Sequence, residues 1–544
     1  MGKSIVVIVL LLLSVINSNS QVTQEWSQRY NGPVNEFDGV RKMAVDNSGN
    51  VYITGDSKGA GTDYDFCTIK YNSSGAQQWV QRYNGTGNGV DYPNSIAVDK
   101  SGNVYVTGIS LGNDSGNDFL TIKYNSTGVQ QWVQRYNYSS GDDAAYDIAL
   151  DTSGNVYVTG KSGTTAVSSD DYTTIKYNPA GVQQWVKRYN GPGNLNDVAF
   201  GLVVDASGNV YVTGSSAGSS LSFDYLTLKY NSAGVQQWEK RFNGSFSNFD
   251  AAYAIKLDYS GNIYVTGAAT GLGTFKDFLT IKYDALGTQV WARTYDAISH
   301  KDDYGTSLAV DSVGNVFVTG ISAAENGTFD FLTICYNSAG EPEVWTKRYN
   351  GAANNDDFVN DVKIDKNNNV YITGQSTVNG SSTNCVTIKY SSNGTQLWIQ
   401  EYNGLANGND KGTSLAVDNS GNVYVGAASE GTDTYFDFAT IKYSQSIGIQ
   451  TLSNEIPNRF FLSQNYPNPF NPTTNIKFDV LKSGIVSIKV FDIEGKEIQE
   501  LLKEFKPAGS YQTTFDGSKF GSGVYFYEMQ TNDFIETKRM LLVK

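Results

Sequence analysis

Aspartate recurs at fixed intervals along this chain, and its carboxylates are the side chains best placed to do chemistry. One series precedes a second, turn-forming series by eight residues in every case. The first series is Asp38, Asp91, Asp143, Asp197, Asp250, Asp303, Asp357 and Asp410, and the second is Asp46, Asp99, Asp151, Asp205, Asp258, Asp311, Asp365 and Asp418. Carboxylates gathered in one place bind cations or the hydroxyls of a polyol. The first series therefore predicts a ring of ligand-binding carboxylates.

A structural role is the alternative reading of these aspartates. A third series completes the pattern: Asp65, Asp118, Asp171, Asp224, Asp277, Asp330, Asn384 and Asp437. Recurring Lys and Arg residues follow it, as at Lys123 and Arg135. A residue repeated in every unit is typical of a part that builds the unit, here by accepting loop amides or by pairing with those cations.

The sequence gives little support to a catalytic triad or to a metal site built from histidine and cysteine. The single histidine, His300, stands in a polar loop, and the three cysteines, Cys67, Cys335 and Cys385, are scattered. They form neither a Ser-His-Asp pattern nor a zinc cluster. The turn aspartates lack the DxDxDG spacing of a calcium loop. We expect no cofactor, with calcium at the acidic ring left open, and a protein that is more consistent with binding than with catalysis.

The elements that position these residues are set by the tryptophans. All eight recur every 53 or 54 residues: Trp26, Trp79, Trp132, Trp185, Trp238, Trp291, Trp345 and Trp398. Such a period indicates a repeat architecture. Within one repeat, Ser95–Asp99, Asn103–Gly108, Phe119–Tyr124 and Gln130–Tyr136 are rich in β-branched and aromatic residues, and each is bounded by turn residues. Each repeat is therefore predicted to be a four-stranded sheet.

The two ends of the array are incomplete in complementary ways. Residues 25–31 supply only a Trp strand, whereas the last unit, 410–443, supplies the other three strands. Pairing of these pieces would leave no open edge. The sequence therefore predicts an all-β, eight-bladed β-propeller over 21–443, closed by its N-terminal strand. The connections after the Trp strand and after the second strand vary between units, and we expect both at the same end, where a ligand would bind.

The repeat resembles the bacterial beta-propeller repeat family. The resemblance rests on DxSGNVYVTG, DFxTIKY and QQWVxRYNG, as at Asp99–Gly108, Asp118–Tyr124 and Gln130–Tyr136. It implies a propeller fold, which in that family is usually described as seven-bladed. Seven blades are therefore the alternative to the strand count.

The composition changes after the array. Residues 444–460 are predicted to be a linker, and 461–544 a small immunoglobulin-like β-sandwich with alternating strands. This segment resembles the C-terminal sorting domain of the type IX secretion system in its YPNPFNP entry, its FDIEGKEI hairpin and its basic, apolar terminus. The resemblance implies that the secretion machinery is a partner of 461–544, and that the protein is exported through the periplasm to be secreted or held at the cell surface.

The beginning of the chain and its charge agree with export. Lys3, an apolar run over 5–16 and Ser18-Asn19-Ser20 are typical of a secretory signal peptide over 1–20, and no other stretch is apolar enough to span a membrane. The net charge of −14 disfavours nucleic acid as a partner. We expect a monomer.

Three functions remain open at this point. The first is a non-catalytic binding or adhesion module that takes a carbohydrate or a surface protein on its variable loops. The second is a polysaccharide hydrolase or lyase that uses face carboxylates. The third is a purely structural exported protein.

Overall fold

The computed structural model describes residues 22–544 except for short gaps at 114–115, 140, 165–166, 220–221, 245–248, 272–274, 298–299, 342–343, 379–381, 433, 446–449, 454–455 and 519. The predicted signal peptide, 1–20, lies outside the described residues. All regular structure in the described part is β-strand. No helix there is long and apolar enough to cross a membrane. Two compact units are present, Gln24–Ser444 and a second that contains Gln445–Lys544.

The first unit consists of repeated four-stranded sheets, which we number one to eight. The strands of sheets one to four are β2 (Asp38–Val45), β3 (Val51–Lys58), β4 (Tyr64–Tyr71), β5 (Gln77–Tyr83), β6 (Asp91–Val98), β7 (Val104–Leu111), β8 (Asn117–Tyr124), β9 (Gln130–Tyr136), β10 (Asp143–Leu150), β11 (Val156–Thr164), β12 (Val167–Tyr177), β13 (Gln183–Tyr189), β14 (Asp197–Val204), β15 (Val210–Ala217), β16 (Phe223–Tyr230) and β17 (Gln236–Phe242). Those of sheets five to eight are β18 (Ala251–Leu257), β19 (Ile263–Ala269), β20 (Asp277–Tyr283), β21 (Gln289–Tyr295), β22 (Asp303–Val310), β23 (Val316–Ala323), β24 (Phe329–Tyr336), β25 (Trp345–Tyr349), β26 (Asp357–Ile364), β27 (Val370–Thr377), β28 (Thr383–Tyr390), β29 (Gln396–Tyr402), β30 (Asp410–Val417), β31 (Val423–Glu430) and β32 (Phe436–Gln445), with β1 (Val22–Tyr30) as the fourth strand of sheet eight in the order β1-β32-β31-β30.

Strands follow one another up and down within each sheet, as in a β-propeller, because tight turns reverse the chain between them. In the first of these turns the fourth residue is glycine with positive φ, for example 76° at Gly102, and its counterpart Asn368 has a φ of 60°. Only residues that tolerate the left-handed region fit there. The backbone is therefore left-handed at this residue of the turn in all eight sheets.

Neighbouring sheets are joined by the tryptophans. The Trp79 indole of sheet one donates to the Ser126 carbonyl of sheet two at 3.3 Å, and its ring lies 6.1 Å from the ring of Tyr124. Trp26 on β1 repeats these contacts, with the Ser73 carbonyl at 3.2 Å and the Tyr71 ring at 6.3 Å. The first strand of each sheet also contacts the first strand of the next, and β30 contacts β2. The faces of the sheets are therefore covered by each other.

The second unit is built from two four-stranded sheets. Its strands are β33 (Gln450–Ser453), β34 (Phe461–Leu462), β35 (Thr473–Val480), β36 (Gly484–Phe491), β37 (Glu497–Lys506), β38 (Gly509–Asp516), β39 (Gly523–Gln530) and β40 (Ile535–Leu542), in the orders β33-β38-β35-β34 and β37-β36-β39-β40. Alternating apolar residues such as Ile476, Phe478 and Ile488 form one buried core. β33 lies within the segment predicted as a linker, yet it pairs with β38, so part of that segment belongs to the sheet.

Candidate functional site

Six of the eight sheets carry the same polar row across their four strands, and the first aspartate series begins it. In sheet two the row comprises Asp91 on β6, Ser110 on β7, Asp118 on β8 and Arg135 on β9. The Arg135 guanidinium donates to Asp118 Oδ2 at 2.7 Å, to Ser110 Oγ at 2.6 Å and to the Ser110 carbonyl at 2.9 Å. One guanidinium therefore ties three strands together.

The predicted ring carboxylates are buried, with at most 1% of any of the eight residues exposed. They are Asp38, Asp91, Asp143, Asp197, Asp250, Asp303, Asp357 and Asp410. Each accepts a hydrogen bond at 2.5 to 2.9 Å from the backbone amide of the loop that precedes it, for example from Gly85 to Asp91. The structure thus places these carboxylates beneath the variable loops as their supports. Direct ligand binding by them stays a prediction.

Burial changes the acidity of this series. Desolvation raises the pKa of Asp143 to about 7 and outweighs the amide hydrogen bond from Tyr138, which lowers it. For the same reason the pKa of Asp38 and of Asp303 rises to about 6. These carboxyl groups therefore take up protons close to neutral pH.

The third series pairs with arginine in most sheets. Ion pairs join Arg29 to Asp437, Arg82 to Asp65, Arg135 to Asp118, Arg188 to Asp171, Arg241 to Asp224 and Arg348 to Asp330. The lysine of the third strand acts differently, since Lys123 donates to the Pro179 carbonyl of the next sheet at 3.0 Å and lies over the Tyr105 ring. Pairing with arginine is therefore confirmed, whereas the lysine bonds to a carbonyl.

Two sheets depart from this row. Sheet five has Ala269 in place of the serine and Thr294 in place of the arginine. Sheet seven replaces the ion pair with a hydrogen bond of 3.2 Å from the Asn384 amide to Glu401. The repeat is therefore least regular in these two sheets.

Both variable connections lie at the same end of the sheets, as the sequence predicts. The backbone amide of Asn117, which follows the second strand of sheet two, donates to Asp142 Oδ1 at 3.0 Å, and Asp142 precedes sheet three. In the same way the backbone amide of Lys276 donates to Asp302 Oδ1 at 3.1 Å, and the Asp303 amide donates to the Lys276 carbonyl at 2.7 Å. These bonds join the loop after the second strand of one sheet to the loop that precedes the next sheet. We call the surface formed by these loops the loop face.

An aromatic patch, formed by Phe37, Tyr64, Tyr92 and Phe436, occupies part of the loop face. Ring centroids are 5.6 Å apart for Phe436 and Phe37, and 6.1 Å apart both for Phe37 and Tyr64 and for Tyr64 and Tyr92. All four rings are half-buried. The patch runs across sheets eight, one and two.

Cations lie on three rings of the aromatic patch. Lys411, Lys58 and Arg41 stand 5.1, 5.0 and 5.2 Å from the ring centroids of Phe436, Tyr64 and Tyr92. Arg41 also pairs with Asp56 at 2.6 Å, and Lys58 with Asp63 at 2.8 Å. The patch therefore offers apolar ring surface with charged hydrogen-bonding groups at its margin.

Sequence reasoning missed this patch. Its members come from three different positions of the repeat, and no one of these positions is aromatic in every sheet. A comparison of the units position by position would have shown it, because the residue after each first-series aspartate changes from Tyr92 to Ala144 and Lys411.

In the described part of the chain, no three His, Cys, Asp or Glu side chains lie together as metal ligands would. His300 bonds to Asp296 at 2.7 Å with its side chain 67% exposed. The three cysteines are buried free thiols.

Comparisons with known proteins address both units. A family model described as "Beta-propeller repeat" matches seven segments: 25–61, 78–114, 131–165, 184–222, 292–326, 344–380 and 397–433. These segments leave out 223–291, which contains β18, β19 and β20 of the divergent sheet five. A second model, "Secretion system C-terminal sorting domain", matches 464–544.

Individual relatives are remote. An uncharacterized WD repeat-containing protein of Acanthamoeba polyphaga mimivirus is 27% identical over 237 residues, which cover 38% of this chain and 16% of that protein. A fungal alcohol oxidase solved with copper has 10% identity and a TM-score of 0.37 over 96% of this chain and 100% of its own. A protein of unknown function from Dyadobacter fermentans also has 10% identity and a TM-score of 0.37, over 78% and 99% of the two chains. Structural likeness at this level carries no functional argument. The family models show that the chain contains seven beta-propeller repeats and ends in a type IX secretion system sorting domain.

Proposed function

We propose that this protein is an exported, non-catalytic β-propeller of eight blades that binds saccharide on its loop face. The sorting domain indicates export to the cell surface or the medium. Eight four-stranded sheets and the pairing of β1 with β32 support the blade number and closure by the N-terminal strand. In such a closed ring, the first strands line a central channel.

The aromatic patch carries the proposal for saccharide. The apolar face of a sugar ring packs on half-exposed aromatic rings, while its hydroxyls bond to charged groups beside them. Four connected rings with Arg41, Lys58 and Lys411 at their margin supply both kinds of contact. Because the first-series carboxylates are buried, they would hold these loops in place rather than act as the acid and base of a hydrolase.

The chain itself suggests matched substitutions for a test. Tyr92→Ala and Tyr64→Asn install residues that other sheets carry at the same positions, Ala144 and Asn117. A glycan array of neutral and acidic oligosaccharides, followed by titration calorimetry on the best binder, should show that the double variant binds at least about tenfold more weakly, a loss of about 1.4 kcal/mol.

Tyr259→Ala is the control, because Tyr259 is 90% exposed in the turn between the first and second strands, at the end of the sheet opposite the loop face. Sheet four has alanine, Ala206, at the same position. Equal binding by the patch variant and wild type would refute the saccharide site. Release of shorter oligosaccharides during incubation would support the hydrolase or lyase instead.

A further inference from the structure

Two sheets place lysine on the first strand where the other six have a small apolar residue. The lysines are Lys256 in sheet five and Lys363 in sheet seven, which pair with Tyr264 and Tyr371 of the second strand. The equivalent residues in the other sheets are Ala44, Ala97, Ala149, Val203, Ala309 and Ala416. Since alanine suffices to build the sheet there, the sheet does not need these lysines.

Lys42 on the first strand of sheet one adds a third cation. It lies opposite Thr54, a position that is serine in sheets two, six and eight, at Ser95, Ser307 and Ser414. Lys42 and Lys256 are both exposed, and among the described residues no hydrogen bond or ion pair is recorded for either. Both therefore keep their ammonium groups available to a ligand.

The three lysines share one space although they belong to distant parts of the sequence. Lys363 pairs with Asp361 at 2.5 Å, and Asp361 also accepts the Leu415 amide at 3.1 Å. Burial lowers the pKa of Lys363, and repulsion from Lys42 and Lys256 lowers it further while Asp361 opposes the change. In the closed ring the first strands line the channel, which would bring these three lysines to one part of its wall.

An aromatic arc, formed by Tyr146, Phe200 and Tyr253, lies on the first strands of sheets three, four and five, nearer the loop face. Its ring centroids are 5.9 Å apart for Tyr146 and Phe200, and 5.5 Å apart for Phe200 and Tyr253. In sheets two and seven the equivalent residues are Asn94 and Asn360, each of which donates to a carbonyl of the next sheet at 2.7 Å. The arc residues have rings in place of these asparagine amides, so sheets three to five present a continuous aromatic surface.

We propose that the central channel binds a small oxyanion, a carboxylate or a phosphate, between Lys42, Lys256 and Lys363, reached from the loop face past the aromatic arc. The three lysines outnumber the carboxylates of Asp147 and Asp361 on the same part of the first strands, and this excess of positive charge attracts anions even though the whole chain has a net charge of −14. The site is separate from the aromatic patch, and it depends on the proposed function only through the closed ring.

The test uses the full chain and residues borrowed from its other sheets. Inorganic phosphate and galacturonate are titrated calorimetrically at constant ionic strength set with chloride. We expect wild type to bind at least one of them, and Lys42→Ser with Lys256→Ala to weaken that binding by about tenfold for each lysine removed. Lys366→Ala is the control, because Lys366 is exposed in a turn where sheet four has Ala206.

The outcomes separate the sources of the anion and the two proposals. Binding of phosphate alone identifies a phosphate site, whereas binding of galacturonate that Phe200→Asn weakens identifies an acidic sugar lying on the arc. Binding of neither anion, or equal binding by wild type and the double lysine variant, overturns the proposal. An open ring would instead appear as aggregation in gel filtration, because β32 would be left as an unpaired edge.

Discussion

Protonation of the buried carboxylates should make the first unit more stable in mild acid than above neutrality. The pKa of Asp143 is raised by burial to about 7 in the folded chain, whereas an unfolded aspartate titrates at about 3.9. A group with a raised folded pKa contributes stability that is fully present below its unfolded pKa and is lost as pH rises through its folded pKa. Stability should therefore fall between pH 5 and pH 8.

The magnitude follows from the size of these shifts. Between pH 5 and pH 8, Asp143 alone accounts for a loss of about 2.6 kcal/mol in the free energy of unfolding. Asp38 and Asp303, with folded pKa values of about 6, add about 1.4 kcal/mol each. Lys389, whose pKa burial lowers to about 8, changes its contribution mainly above this window.

Asp143→Asn isolates the largest contribution. Its amide oxygen can still accept the Tyr138 amide bond, which is 2.8 Å long with the carboxylate, but it takes up no proton. Urea unfolding followed by tryptophan fluorescence at pH 5, 6, 7 and 8 should show the pH-dependent loss reduced by about 2–3 kcal/mol.

Asp99→Asn is the matched control. Burial raises the pKa of this turn aspartate, but hydrogen bonds from Asn103 and Ser101 outweigh burial and hold the pKa below its usual value. Its substitution should lower stability equally at pH 5 and pH 8. If Asp143→Asn unfolds with the same pH dependence as wild type, the link between burial and the raised pKa is wrong.

Two further predictions concern the construction of the sheets. Arg135→Thr installs the residue that sheet five has at this position and removes the guanidinium that pairs with Asp118, whose side chain is only 1% exposed. We expect the free energy of unfolding in urea to fall by about 3 kcal/mol, and an unchanged midpoint would contradict the role of the polar row. Trp26→Ala removes the ring that joins β1 to sheet one and should lower the free energy of unfolding by about 2–3 kcal/mol, as Trp79→Ala should inside the array. A clearly smaller effect of Trp26→Ala in thermal melts would argue against closure by β1.

Local chemistry made the sheets predictable from sequence. Val, Ile, Tyr and Thr in short runs define strands, and glycine at Gly102 together with asparagine at Asn368 reports a left-handed turn. The position of β33 was missed because its partner, β38, lies about sixty residues further along, and pairing at that distance leaves no local signal.

The site was less accessible to sequence reasoning. The spacing predicts one aspartate of the first series in every repeat. It does not show whether the carboxylate faces solvent or, as at Asp91, the loop amide of Gly85. That choice depends on how the preceding loop folds back over the strand. The aromatic patch was hidden for a different reason, since Phe37 and Phe436 are neighbours only because sheets one and eight meet.

Departures from the repeat, rather than the repeat itself, mark where this protein is specialised. Sheet five has lost the arginine and serine of the polar row, and sheet seven has exchanged its ion pair for Asn384 and Glu401. The same two sheets supply Lys256 and Lys363. Six intact rows hold the remaining sheets, and in sheet five the Asp250 carboxylate still accepts the backbone amide of Thr270 at 2.7 Å, as Asp197 accepts that of Ala217 in sheet four. Because the other sheets preserve the scaffold, these two could change without loss of the fold, and a binding site for one asymmetric ligand needs such changes.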